Sequence, residues 1–81
     1  MLSQYKKDML TLVNVPKGQC ARLISTDGWL RAKLKQYGLH IGDQVRVVRS
    51  APLGGPVMIE VNGREIALGR PVAEKILVGV E

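Results

Sequence analysis

The side chains that could do chemistry are one cysteine, Cys20, one histidine, His40, and seven carboxylates, among them Asp27, Asp43, Glu60 and Glu65. Nucleophilic catalysis by a Cys–His pair needs a third group to orient the base. Cys20 lies on an alternating apolar-polar stretch and His40 in a turn between Gly38 and Gly42, with no orienting group at a recognisable spacing. Cys20 therefore reads as a small buried hydrophobe and His40 as an exposed turn residue. The glycine-rich "PLGGP" lacks the Lys-Ser/Thr ending of a phosphate loop and precedes a strand instead of a helix. The chain reads as a non-enzyme. Cys20, His40, Glu60 and Glu65 are the candidate metal ligands, but no pair of them has helix or finger spacing, so no cofactor is expected from the residues themselves.

Glu60 and Glu65 are positioned by the clearest local signal in the chain. "VMIEV" and "REIAL" flank Asn62-Gly63, whose residues both tolerate the positive φ of a type I′ turn. A two-residue turn sets Val61 against Arg64 and Glu60 against Glu65, with Val57, Ile59, Ile66 and Leu68 on the core face. Like charges facing each other cost a few tenths to about 1 kcal/mol. Arg46 or Arg49 on the preceding strand is the expected compensation, ahead of a divalent cation. Before the hairpin, "APLGGP" carries Leu53 between Pro52 and Gly54-Gly55. The prolines stop the strand and stiffen the loop, and the glycines supply its turn.

"STDGWLRAKLKQYGLHIGD" predicts a helix near residues 28–37, capped by Asp27 or Thr26. Leu30, Leu34 and Tyr37 fall on one buried face, and Gly38 with Leu39 suits a Schellman ending. Trp29, at the helix start, is expected to pack beneath the helix. The opposite side presents Arg31, Lys33 and Lys35 with no acid between Asp27 and Asp43. Strands are expected over about 19–24, along "QVRVVRS", in both hairpin arms and in "ILVGV", and Pro71 suits the first position of a helical turn over "RPVAEK". Residues 1–10 read as an added arm on which Leu2, Tyr5 and Met9 share one helix face, with the domain proper over 11–81.

The 81 residues allow one domain and one modest core. There is no Phe, only one Trp and two Tyr, so that core must be aliphatic. A single cysteine precludes an internal disulfide and fits a reducing cytosol. No apolar run is long enough to span a membrane, and "MLSQYKKDML" has no leader-like apolar region, so a cytoplasmic protein without direct membrane insertion is expected. A net charge of +5 favours acidic partners. The whole predicts a mainly β fold: a small five-stranded SH3-like barrel with one inserted α-helix and a short helical turn.

The helix ending "YGL", the strand "GDQVRVV", the loop "APLGGPV", the arm "G-x-x-IAL" and the terminal "A-x-x-I-x-V" keep an order and spacing that resembles the ferrous iron transport protein A (FeoA-like) family over residues 11–80. The resemblance implies an SH3-like barrel in the cytosol, supporting a membrane ferrous iron transporter that carries a cytosolic GTPase domain. It makes Fe²⁺ the ion that a site at Glu60, Glu65, His40 or Cys20 would take. The same barrel resembles the C-terminal domain of iron- and manganese-dependent repressors, although no helix-turn-helix precedes it here.

Three functions compete. A basic nucleic-acid-binding barrel would stack bases on strand aromatics, and the strands carry none. A transition-metal-binding regulatory domain would need a fuller donor set. A protein-binding adaptor of the transporter fits best. Leu53, Gly54 and Gly55 form its expected contact loop, because an apolar knob on a stiff loop loses little entropy on docking. Arg31 and Lys35 offer a second contact to an acidic surface. The competing expectation for Leu53 is a lid folded over the barrel end.

Overall fold

Short runs of Val, Ile and Leu alternating with polar residues can bury only one face, and the chain meets that demand by curling one sheet around its centre. The computed structural model describes residues 9–80. Its strands are β1 (Met9–Thr11), β2 (Cys20–Ser25), β3 (Gln44–Ser50), β4 (Val57–Val61), β5 (Arg64–Leu68) and β6 (Leu77–Val80). They form one antiparallel sheet in the order β1-β6-β2-β3-β4-β5, the SH3-like barrel expected. Irregularities at Leu23/Ser25 in β2 and Val47/Arg49 in β3 break the register where the sheet bends.

Among the described residues six strands are present where five are expected, and the difference is β1. Met9, expected on a helix face, pairs with Gly79, and Leu10 and Thr11 pair with Val78 and Leu77. A three-residue edge strand carries almost no local signal, because its partner lies at the other end of the chain. The expected boundary between residues 10 and 11 therefore falls inside a strand. Leu2 and Tyr5 lie outside the described residues.

The hairpin register is the expected one. Val57 faces Leu68, Ile59 faces Ile66, and Glu60 faces Glu65. Asn62 at φ 51° and Gly63 at φ 79° make the turn. Val57, Ile59 and Leu68 are buried and Ile66 is half-buried. With Leu23, Leu34, Leu39, Val45, Ile76 and Val78 they belong to a core made of aliphatic side chains alone among the described residues.

Helix α1 (Gly28–Gln36) is capped by Asp27, whose carboxylate accepts the Leu30 N–H at 2.8 Å. Thr26, the other expected cap, instead donates its hydroxyl to the Lys75 carbonyl at 3.0 Å and ties the helix entrance to the approach of β6. The helix ends in a Schellman motif: Leu39 N–H donates to Leu34 C=O and Gly38 N–H to Lys35 C=O, both at 3.0 Å. Leu30, Leu34 and Leu39 are buried and Tyr37 is half-buried. A one-turn helix α2 (Arg70–Ala73) holds Pro71 at its second position, one later than expected, and buries Ala73.

Candidate functional site

Pro52 to Gly55 form a turn closed by the Gly55 N–H donating to Pro52 C=O at 3.2 Å. Leu53 and Gly54 take φ of 59° and 78°, the type I′ arrangement. An aliphatic residue in that region costs about 1 kcal/mol relative to ordinary backbone. The strained side chain gains nothing from packing: Leu53 is 102% exposed. The lid expected as its alternative is absent. Gly55 permits the close approach beneath the tip, where an added Cβ would stand 2.6 Å from the Ala51 Cβ.

The base of the loop is held from outside. Ala51 N–H donates to Pro56 C=O at 2.9 Å. Arg70, the first residue of α2, donates from Nε to Gly55 C=O at 3.2 Å and from Nη2 to Ala51 C=O and the Ser50 hydroxyl at 3.1 and 3.0 Å. A planar guanidinium fork suits such convergent acceptors. No sequence pattern marks Arg70 for this task. The pairing exists only once β3, β4 and α2 have folded together.

Arg31 and Lys35 stand exposed on α1, as expected, and with His40 they rim a groove of about 120 Å³ whose apolar lining is Leu34, Leu39 and Ile41. Trp29 corrects an expectation. It is 70% exposed, because Leu30 and Leu34 occupy the buried face and its neighbour in sequence is turned outward. Lys33, one turn later, places its ammonium 5.7 Å from the ring centroid.

Of the candidate metal ligands, Glu60 and Glu65 face each other across β4 and β5, and His40 stands apart. Cys20 and Glu60 line a depression of about 330 Å³ with Asp43, Arg46 and Asn62, whereas His40 lines the groove beside α1. His40 takes its turn position by donating its backbone N–H to the Asp43 carboxylate at 2.9 Å. Among the described residues no three His, Cys, Asp or Glu side chains gather into a donor set. Cys20 is half-buried, less than expected, because its strand position pairs it with exposed Arg46.

Arg46 supplies the compensation expected at Glu60. Its Nη2 and Nε donate to Glu60 Oε1 at 2.6 and 3.1 Å. The hydrogen bond to Glu60, then its charge, raises the Arg46 guanidinium pKa above its ordinary value. Arg46→Ala should lower the melting temperature, since Glu60 then faces Glu65 without a cation. Adding Glu65→Gln should restore part of that loss, measured by thermal unfolding at low salt. No recovery would mean that carboxylate repulsion is not what Arg46 relieves.

A family model described as FeoA domain matches residues 10–80. A relative named Fe(2+) transport protein A, from Methanocaldococcus jannaschii, is 41% identical over 46 residues, covering 57% of this chain and 54% of its own. The matched stretch thus spans about half the length of that relative. The crystal structure of an iron uptake regulatory protein (FeoA) superposes with a TM-score of 0.80 at 27% identity, over 90% of this chain and 99% of that one. The structure of ScaR with bound Zn²⁺ gives 0.77 at 28% identity, over 86% of this chain and 36% of that one.

Proposed function

The chain belongs to the FeoA domain family, and from that premise we propose that it is a non-enzymatic adaptor in Fe²⁺ transport, docking on the cytosolic side of a membrane ferrous iron transporter with a GTPase domain. Leu53, Gly54 and Gly55 form the main contact, and Arg31 and Lys35 form a second.

The observation that carries this reading is the Leu53 turn. An aliphatic side chain held on a positive φ and fully exposed contributes nothing to the core, while Arg70 fixes the loop beneath it. Strain that folding does not use points to a task outside the fold. A pre-ordered apolar knob enters a partner's pocket without losing loop entropy on docking. The Fe²⁺ reading rests on the family and on the name of the matched relative. Iron is cargo of the partner here, in keeping with the Arg46 guanidinium that already pairs with Glu60.

The test is capture of the detergent-solubilised transporter, and separately of its cytosolic GTPase domain, by the immobilised chain. Retention of either, lost with Leu53→Asp, supports docking. Equal retention by wild type and variant would overturn the loop as the contact.

A further inference from the structure

We infer that the groove beside α1 is a receptor for one aliphatic side chain carried on an acidic segment of a partner protein. This deepens the adaptor reading by naming the chemistry of its second contact, and it requires no particular transporter.

Three observations converge on the groove. Its lining is apolar where Leu34, Leu39 and Ile41 meet. Leu34 and Leu39 are buried in the core and set a rigid base, so the apolar surface open to a ligand is that of half-buried Ile41 and the methylene stems of Arg31 and Lys35. At about 120 Å³ the groove has room for a single aliphatic group. Its rim is cationic, because Arg31 and Lys35 project one helical turn apart and His40 closes the far side. Among the described residues neither Arg31 nor Lys35 is ion-paired, and α1 itself contains no acid. The neighbouring carboxylate, Asp43, accepts the backbone N–H of His40.

Charge also selects among occupants. A second copy could offer Leu53, but that loop is flanked by Arg49 and Arg70 in a chain of net charge +5, and it would bring cations to a cationic rim. A ligand with carboxylates on both sides of its apolar residue satisfies rim and floor together. Apolar burial then supplies the anchor, and the rim sets orientation and on-rate.

The probe is a synthetic, end-blocked peptide with one leucine flanked by two glutamates on each side, titrated into the ¹⁵N-labelled chain at low salt. Amide shifts should centre on Arg31, Lys35, His40 and Ile41. Replacing the leucine by serine should weaken binding by about tenfold, the worth of one buried aliphatic side chain. Exchanging the glutamates for lysines should abolish it. Arg31→Glu with Lys35→Glu should weaken the original peptide at least about tenfold while the spectrum stays dispersed. Equal affinity for the serine peptide would overturn the proposal, since charge alone would then account for binding. Shifts centred elsewhere, or no binding at millimolar peptide, would do the same. So would loss of the peptide sites to self-association at the concentrations used. Each of these failures leaves capture through Leu53 standing, and loss of that capture leaves the peptide result standing.

Discussion

Leu53→Asp is expected to abolish support of ferrous iron uptake in cells lacking the native protein, while the purified domain melts within about 3 °C of wild type. The side chain is fully exposed, so its replacement removes no core contact, and surface substitutions of this kind stay within about 0.5 kcal/mol. Loss of a central apolar anchor costs an interface on the order of 2 kcal/mol or more, and a charge placed in an apolar pocket adds desolvation. The functional loss should therefore be large. Leu53→Asn sharpens the test, because Asn tolerates positive φ where Leu does not. It should raise stability by about 0.5 kcal/mol, roughly 3 °C in a domain of this size, and still fail to support uptake. Glycine is the poorer choice, since its extra unfolded-state freedom offsets the relief. A variant that becomes more stable and less functional ties the strained turn to function. Uptake that survives both substitutions would remove Leu53 from the interface, and unfolding by Leu53→Asp would show a structural role for the loop.

What the sequence made legible is what short-range physics decides. The β4–β5 register follows from Asn62-Gly63 and a period-2 alternation, and every expected pair from Val57/Leu68 to Val61/Arg64 is present. The end of α1 follows from Gly38 and Leu39, whose two hydrogen bonds close within one turn. The Arg46–Glu60 pair could be anticipated because facing carboxylates call for a cation on the adjacent strand. Long-range features were not legible. β1 is three residues long and owes its existence to β6, and no local pattern distinguishes Met9–Thr11 from a loose arm. Trp29 is expected beneath the helix from its place at the helix start, although Leu30 and Leu34 already fill that face. At the candidate site, the proline-glycine loop was readable and the exposure of Leu53 was one of two alternatives. The brace leaves no local signal, because Arg70 reaches Ser50, Ala51 and Gly55 only across the assembled fold.

That brace yields the second large effect. Arg70→Ala removes three hydrogen bonds from a half-buried guanidinium to Gly55 C=O, Ala51 C=O and the Ser50 hydroxyl. Water can recover part of each acceptor's loss, so the expected cost is about 2 kcal/mol instead of the full sum of three charged bonds. Most of that cost should fall on the loop. The Ala51 and Gly55 amides, which close the turn and its base, should exchange with deuterium on the order of tenfold faster, while Leu39 and Val47 amides in the Schellman ending and β3 keep their protection relative to global unfolding. Docking should weaken as well, because Leu53 then reaches its pocket from an ensemble of loop positions and the ordering cost moves to the binding step. Arg70→Lys keeps the charge but not the fork, and should recover only a fraction of either quantity. The decisive comparison is Arg70→Ala in a Leu53→Ala background, which weakens the anchor without placing a charge in the pocket. If Arg70 acts on docking through the position of Leu53, the double variant binds the transporter no worse than Leu53→Ala alone, whereas its stability still falls by the full Arg70→Ala amount. Additive losses of binding would mean that Arg70 touches the partner itself, and unchanged loop exchange would confine it to anchoring α2.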